Sequence, residues 1–309
     1  MIPLNKALIL RAKYVKEIRQ FFAEKGLLEV DTPLSYPYSV SDPYIDAFAI
    51  QTQSGTQFLQ TSPEYAMKRL LAQGSGSIYQ ICKAFRDDPK AKYHNHEFTM
   101  LEWYRVGLND VALREEIAQM LLLLNPDVVI HSFSYKELFY KITGINPHKV
   151  DLTWLQRTVY QHLGEIYGLK IPNAIECLDL LFSHLVEPKL KDYEFVFVYD
   201  YPKAQAALAR LMMDVEGELV AKRFELFYQG VELANGYYEL RSSAEQEKRF
   251  KHDMNIRQEI EKSSVAIDQA LLSCLDNMPD CSGVALGLDR LIMCLEGYTD
   301  IQEVLYCQS

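Results

Sequence analysis

The apolar positions along the chain follow a helical spacing in some segments and a strand spacing in others. Residues 7–25 carry apolar side chains at helical spacing before a glycine, which predicts a first helix, and a strand and turn are expected over 27–33. A second helix is predicted to follow, with Ser62 as its N-cap and Pro63 at its first helical position. The helix is expected to end just before Gly74.

A period-two pattern over residues 78–107 predicts two strands joined by a polar loop. Arg86 of the first strand and Glu102 and Tyr104 of the second can then converge on one ligand. A guanidinium matches phosphate or carboxylate, and a carboxylate beside a phenol suits an ammonium group. The combination suggests an amino acid meeting a nucleotide. The alternative is a solvated hairpin whose arginine and glutamate pair across the strands.

Two carboxylates lie on later strands that are otherwise built for burial. Strands are predicted over 194–199, 224–228 and 231–235, with Glu225 and Glu232 each between apolar neighbours. Burying an unpaired carboxylate is costly, and one remedy is Mg²⁺, which binds through one or two carboxylates and substrate phosphates. The alternative is that these strands have a solvated face.

Four further positions carry polar or charged residues that could have either a structural or a ligand-binding role. Asn235 could begin an ordinary Asn-Gly turn and Glu239 could be a surface acid, or both could line a ligand pocket. Glu64 falls in the first turn of its helix, where it could simply complement the helix dipole. A closing strand over 283–287 leads into a helix with Arg290 in its first turn, which favours a nearby anion: either Asp289 or a bound triphosphate.

Composition narrows the class of protein. The chain has 309 residues, of which 49% are hydrophobic and 24% charged, as in ordinary globular proteins. Thirty-two basic residues against 42 acidic ones give a net charge of −10, which argues weakly against a broad surface for nucleic-acid phosphates. The six cysteines show no metal-ligand spacing and are expected to be reduced thiols. No signal peptide or bilayer-spanning stretch is evident, so we expect a cytoplasmic protein.

Taken in order, these segments resemble a known family. The stretches FRDD, HNHEFTMLEWY, FELFYQGVELANG and GVALGLDR are similar to motifs 2 and 3 of class II aminoacyl-tRNA synthetases of the lysyl subclass, and TSPEY and ELANGYYEL strengthen the lysine assignment. Residues 29–33 match the family's motif 1 more loosely. The resemblance implies an α+β fold with an antiparallel sheet flanked by helices, working as a homodimer. It also implies one catalytic domain over 1–309, with a mostly helical middle at about 107–190 and no N-terminal anticodon-binding OB domain.

A lysyl-type core without a tRNA reader resembles the free-standing paralogues that modify elongation factor P. That resemblance implies ATP-dependent activation of (R)-β-lysine, or lysine, as an aminoacyl-adenylate, followed by transfer to the side-chain amine of a lysine on elongation factor P. Mg²⁺ is the implied cofactor, and tRNA is not expected as a partner. The alternatives are a tRNA-charging enzyme, a catalytically inactive regulatory paralogue, and an amide-forming synthetase acting on a small metabolite.

The resemblance also implies roles for individual residues. Arg86 would hold the α-phosphate and the substrate carboxylate, Arg290 would meet the γ-phosphate, and Glu225 and Glu232 would bind Mg²⁺. The remaining implied ATP contacts are Asp87, Asp88, His94, Asn95, Glu232, Leu233 and Gly287. The implied contacts to the lysine-like substrate are Ser62, Pro63, Glu64, Glu102, Tyr104, Asn235, Glu239 and Ala285.

The chain departs from the family pattern at a few positions. Lysyl-tRNA synthetases have a third glycine where this chain has Ala285, whose methyl group would favour a substrate with its amine moved one carbon along. The pair Asp87-Asp88 replaces Asn-Glu, which puts the contact with adenine or ribose in doubt. His96 replaces a proline and alters the expected shape of the loop.

Overall fold

The structure, a computed structural model, describes residues 4–89, 91–164, 171 and 173–305. By its internal contacts the chain forms two compact units, residues 1–126 with 240–309 and residues 127–239. The first unit contains α1 (Leu4–Glu24), β1 (Leu28–Glu29), β2 (Ser35–Tyr36), β3 (Ala49–Thr52), β4 (Gly55–Leu59), α2 (Glu64–Ala72), β5 (Ile78–Phe85), β6 (Glu97–Val106) and α3 (Asp110–Leu124). The second contains β7 (Ile130–Ser134), α4 (Tyr135–Thr143), α5 (Leu152–Leu163), α6 (Ala174–Leu181), β8 (Phe195–Pro202), β9 (Leu211–Met213), β10 (Leu219–Tyr228) and β11 (Val231–Tyr238). The first unit is completed by α7 (Ser243–Glu259), α8 (Gln269–Cys274), β12 (Cys281–Gly287) and α9 (Leu288–Leu295).

In the first unit, β5, β6 and β12 form an antiparallel sheet, and β1 adds to its β5 edge in parallel. A small second sheet has the order β2, β4, β3. Helix α9 packs on β6, and α1 packs on α3. The ring of Phe22 in α1 lies 4.6 Å from that of Tyr79 and 5.2 Å from that of Trp103, so the amphipathic helix buries its apolar face against the sheet.

In the second unit, β11, β10 and β8 are antiparallel neighbours, and β7 pairs with β8 in parallel. Strand β9 pairs antiparallel with the N-terminal end of β10. Helix α4 packs on β7 and β8. Its buried Tyr135 stacks on Phe182 with the ring centroids 4.9 Å apart and lies equally close to Tyr201. This aromatic core supports the strands that carry the acidic residues of the unit.

The predicted α+β class is confirmed, as are the first helix and the hairpin of β5 and β6. The sheet of neither unit is wholly antiparallel, because β1 pairs with β5 in parallel and β7 pairs with β8 in parallel. The N-cap prediction was wrong by one residue: α2 starts at Glu64 with Pro63 as its N-cap. The Ser62 hydroxyl accepts only a long 3.3 Å hydrogen bond, from the Glu64 amide.

Among the described residues of the predicted middle segment, α3, α4, α5 and α6 are joined by loops and by one strand, β7, which the sequence did not reveal. Residues 130–134 read Ile-His-Ser-Phe-Ser, which does not alternate strictly between apolar and polar residues, and their strand forms by parallel pairing with a distant partner. No helix in the described ranges is long and apolar enough to cross a lipid bilayer.

Candidate active site

A row of three side-chain positions crosses the sheet of the first unit. Glu102 on β6 lies directly opposite Gln80 on β5 and Ala285 on β12. Tyr104 lies in the next row, opposite Ile78 and Gly283. Because directly paired residues point to the same face of a sheet, Glu102 and Tyr104 project beside the small side of β12, where glycine and alanine leave room.

Glu102 and Tyr104 form a buried acidic pair. Their side chains are 1% and 2% exposed, and the Tyr104 hydroxyl donates a 2.8 Å hydrogen bond to Glu102 Oε1. Within the row, the amide of Gln80 is itself oriented by Thr32, whose hydroxyl donates to Gln80 Oε1 at 3.0 Å. A carboxylate buried this deeply favours a cationic ligand that can hydrogen-bond to it.

Glu64 is paired with a buried lysine of its own helix. Lys68, 2% exposed, donates to Glu64 Oε1 at 2.7 Å across one helical turn. The ion pair, together with the position of Glu64 at the helix start, accounts for this acid more fully than the helix dipole alone. Sequence reasoning overlooked Lys68, although the spacing of four residues was a signal for the pair.

Arg86 lies one residue beyond the end of β5, held by both its backbone and its side chain. Its amide donates to the His96 carbonyl at 2.9 Å across the hairpin. Its Nε donates to the Thr61 carbonyl at 3.4 Å, and its guanidinium carbon lies 5.3 Å from the centroid of the Phe98 ring. These contacts position the guanidinium by main-chain and aromatic groups rather than by a carboxylate.

The loop between β5 and β6 brings several charged groups within electrostatic reach of His94. Burial lowers the pKa of His94, the nearby Arg290 and Arg86 lower it further, and Asp88 opposes them. The imidazole is therefore held neutral near pH 7 in surroundings that are positive on balance. Such surroundings suit a phosphate group.

Asp87 and Asn95, two other expected ATP contacts, are engaged locally. The Asp87 amide donates to the Asp46 carbonyl at 2.9 Å, and its carboxylate lies 3.8 Å from Nδ1 of His96. The Asn95 side chain donates to the Glu97 carbonyl at 2.7 Å. Both residues shape the loop in this conformation.

Arg290 lies in the first turn of α9, where its Nε donates to the Tyr93 carbonyl at 3.0 Å. Asp289, the alternative source of negative charge, is buried and accepts hydrogen bonds from Arg11 at 2.5 Å and from the Thr99 amide at 2.6 Å. Gly287 is the N-cap, and an added Cβ there would meet the Arg290 side chain only at an ordinary 3.7 Å. The Asp289 carboxylate thus binds Arg11 of α1 and the Thr99 amide of β6, and a side chain at position 287 would lie in ordinary contact with Arg290.

In the second unit, Glu225 is nearly buried and both of its oxygens are engaged. Tyr201 donates to Oε2 at 2.6 Å, and Arg223 forms an ion pair with Oε1. Burial raises the pKa of Glu225, with Arg223 opposing that shift and the nearby Glu232 adding to it. A solvated face is therefore ruled out for Glu225, whereas Glu232 is exposed.

The donor set of this unit fits a hard divalent cation that also has other ligands. Glu225 and Glu232 supply carboxylate oxygens within electrostatic reach of each other. Across the described ranges, no cluster of three or more acidic, histidine or cysteine side chains is suited to a metal ion. Sequence reasoning overlooked Glu187, whose pKa is raised by burial and then by Glu232 and Glu225.

The Asn-Gly pair lies inside β11 and is not a turn. Asn235 pairs with Glu225 across the strands, and its amide donates to the Tyr237 hydroxyl at 3.0 Å. Gly236 lies opposite Phe224, whose ring occupies the space of a Cβ: an added carbon would lie 2.3 Å from Cζ. The interpretation as a turn was therefore wrong for Asn235, and the interpretation as a surface acid was wrong for Glu239, which is 1% exposed.

Leu233, an expected ATP contact, lies at a β-bulge where the register between β10 and β11 shifts. Its side chain is 3% exposed. If Leu233 contacts a nucleotide, the contact is therefore made by its backbone.

Comparison with known families defines the class of protein. The family model for tRNA synthetases class II (D, K and N) matches residues 3–307. The chain belongs to this family.

Individual relatives match the chain over nearly its whole length. A protein of Haemophilus ducreyi is 40% identical over 307 residues, which are 97% of this chain and 93% of the relative. Proteins of Vibrio atlanticus and Vibrio cholerae are each 41% identical, over 97% and 95% of this chain and 94% and 92% of their own lengths. All three relatives are named elongation factor P (R)-β-lysine ligase.

Proposed function

We propose that this chain is an ATP-dependent ligase that joins (R)-β-lysine, or lysine, to a lysine side chain of elongation factor P. The observation that carries the proposal is the buried Glu102–Tyr104 pair beside Ala285 in a class II synthetase fold. A carboxylate that is 1% exposed suits the ammonium group of a diamino acid. The names of the relatives support the acceptor and the isomer.

The first step is the attack of a substrate carboxylate oxygen on the α-phosphorus of ATP, which forms the aminoacyl-adenylate and releases pyrophosphate. Arg86 stabilises the negative charge of the α-phosphate and the carboxylate in this proposal, and Arg290 binds the γ-phosphate. Asp87, Asp88, His94, Asn95 and Gly287 contact the nucleotide. Because His94 is neutral, it does not repel the positive charges of Arg86 and Arg290 that bind the phosphates in this proposal.

The substrate's amino groups are assigned to acidic side chains of the first unit. Glu102 and Tyr104 bind one ammonium group, and Ser62, Pro63 and Glu64 at the start of α2 contribute further contacts. Because Glu64 Oε1 already binds Lys68, the substrate is assigned to Oε2. A neutral side chain would leave the Glu102 carboxylate without an ammonium partner, which is how this unit rejects such amino acids.

In the second unit, Glu225 and Glu232 are assigned to Mg²⁺, which neutralises phosphate charge when it is bound. Asn235 and Glu239 are assigned to the amino acid, and the Leu233 backbone to the nucleotide. In the second step, the acceptor amine attacks the carbonyl carbon of the adenylate. An amide bond forms, AMP leaves, and the amine loses a proton.

We further propose that two copies of the chain form a homodimer. Leu8 and Ile9 of α1 and Leu28 of β1 are 47%, 66% and 58% exposed, which leaves apolar surface on the helix and at the strand residue that precede residues 29–33, the segment that resembles motif 1. Light scattering should give twice the mass of one chain for the wild type. The mass of one chain would contradict the homodimer.

The acceptor is tested by incubating the protein with ATP, Mg²⁺ and each lysine isomer in the presence of elongation factor P or tRNA. Intact-mass spectrometry should show one lysyl group added to elongation factor P, and none when the acceptor lysine is replaced by arginine. Charged tRNA with unmodified elongation factor P would contradict the proposed acceptor and favour the tRNA-charging alternative.

A further inference from the structure

Arg223 of β10 holds the two polar residues on which the second unit's proposed chemistry depends. Its Nη2 pairs with Glu225 Oε1, and its Nε donates to Asn235 Oδ1 at 3.3 Å. Its Nη1 donates to the Gln205 carbonyl at 3.0 Å. Each arm of the guanidinium therefore has a fixed acceptor.

Packing prevents this guanidinium from swinging away. Its central carbon lies 4.7 Å from the centroid of the Tyr201 ring, and the Tyr201 hydroxyl donates to the second oxygen of Glu225. The Arg223 side chain is only 18% exposed. A planar guanidinium held by three acceptors and a ring face keeps its charge in one place.

The carboxylate of Glu225 still has coordination capacity. Each of its oxygens accepts one donor, from Arg223 or Tyr201, and a carboxylate oxygen has two lone pairs. A cation can bind without displacing either donor. The cation would, however, share the Glu225 carboxylate with the positive charge of Arg223. Two positive charges bound to one carboxylate repel each other strongly in partly buried surroundings.

We propose that Arg223 is a positioning residue that serves as the permanent counter-cation of Glu225, so that a divalent cation binds tightly only together with the nucleotide's phosphates. This inference rests on the proposed assignment of Glu225 and Glu232 to the metal. It agrees with the shortage of protein ligands, since the described ranges hold no cluster of three metal-ligating side chains. Phosphate oxygens supply both the missing ligands and the missing negative charge.

Two substitutions separate the charge of Arg223 from its geometry. Arg223→Gln removes the charge and keeps a hydrogen-bonding group, whereas Arg223→Lys keeps the charge and loses the fork that reaches Asn235. Lys222→Gln is the matched control, because Lys222 is the neighbouring cation on the same strand and pairs with Asp200 at 2.8 Å. Circular dichroism should show that each variant is folded.

The readout is Mn²⁺ binding, followed by the electron paramagnetic resonance signal of the free ion, without nucleotide and with α,β-methylene-ATP. Wild type, Lys222→Gln and Arg223→Lys should bind Mn²⁺ weakly without nucleotide, and Arg223→Gln at least about tenfold more tightly. Arg223→Lys should raise KM for lysine, because one ammonium cannot hold both Glu225 and Asn235.

Equal Mn²⁺ affinity of Arg223→Gln and wild type without nucleotide would overturn the inference. If Arg223→Gln does not fold, tight nucleotide-free binding by Arg223→Lys would overturn it instead, because that variant keeps the charge. The metal assignment is tested separately by Glu225→Gln and Glu232→Gln. Nucleotide-dependent Mn²⁺ binding that survives both substitutions would contradict the proposed metal ligands and leave the role of Arg223 without a basis.

Discussion

Glu102 is the residue on which substrate selection depends most in this account. It is buried, it accepts from Tyr104, and it lies in a cross-strand row with Ala285. Its position followed from the alternation of strand side chains in the sequence. Its degree of burial did not, because burial depends on the strand β12 that pairs with β6 from almost two hundred residues away.

Replacing Glu102 by Gln should lower kcat/KM for lysine activation by about 10- to 150-fold, since a hydrogen bond to a charged group contributes about 1.5–3 kcal/mol. The loss should appear mainly in KM for the amino acid and leave KM for ATP unchanged. Glu97→Gln is the control, because Glu97 lies on the same strand and forms an exposed pair with Lys83. Equal kinetics for the two variants would contradict the role of Glu102.

Replacing Ala285 by Gly should improve the use of α-lysine relative to β-lysine. The methyl group lies opposite Glu102, and one carbon in a pocket decides about 1–3 kcal/mol between substrates. Pyrophosphate exchange with each isomer measures kcat/KM, and the ratio of kcat/KM for α-lysine to that for β-lysine should rise by about 5- to 150-fold. Ser282→Gly, which shortens a side chain on the opposite face of β12, should leave the ratio as it is. An unchanged ratio in Ala285→Gly would show that the methyl group only packs.

At the scale of elements, β11 shows why a local motif misled. Asn-Gly is a strong turn signal, yet here Gly236 is required by the ring of Phe224 on the neighbouring strand. The requirement depends on strand pairing and is absent from the local sequence. Strand β7 was not predicted for the same reason. Helix α1 and the hairpin of β5 and β6 were predictable because their periodicity is local.

Gly236→Ala should destabilise the protein by about 1–3 kcal/mol, the usual cost of overpacking, because the new methyl group overlaps the Phe224 ring. Urea denaturation followed by circular dichroism measures the loss. Combining it with Phe224→Leu tests the cause: the double variant should lose less free energy of unfolding than the sum of the single variants. Strict additivity would mean that the ring does not determine the glycine.

The contact between α7 and the loop ahead of β3 has a pH-dependent component. Ser41 donates to Asp253 Oδ2 at 3.0 Å, and burial raises the pKa of Asp253 to about 6, with Asp42 adding to the shift and His252 and Arg249 opposing it. A carboxyl group with a raised folded-state pKa favours folding while it is protonated. Its contribution is therefore present below about pH 4 and is lost as the pH rises through about 6.

Asp253→Asn should consequently raise the free energy of unfolding at pH 7.5, by about 1–3 kcal/mol, and leave it nearly unchanged at pH 4. Urea denaturation at the two pH values measures the difference. Glu247→Gln on the exposed face of α7 is the control and should show no such difference. A loss of stability at pH 7.5 in Asp253→Asn would contradict the assigned sign.

At the scale of the whole molecule, the family could be recognised from the sequence because its motifs are short patterns with a characteristic spacing. The family model that matches residues 3–307 confirms this assignment. The partners of the site residues were not readable. Lys68 on Glu64, Arg223 and Tyr201 on Glu225, and Arg11 on Asp289 all depend on packing. The acidic residues could be identified from the sequence, whereas the groups that neutralise and orient them are visible only in the structure.

The central claim is that this protein activates a diamino acid with ATP, and amino-acid-dependent exchange of labelled pyrophosphate into ATP tests it most directly. We expect exchange with (R)-β-lysine and lysine, loss of exchange in Arg86→Ala, and little exchange with norleucine, which lacks the terminal ammonium group. Absence of exchange with either lysine isomer, or equal exchange with norleucine, would contradict the account.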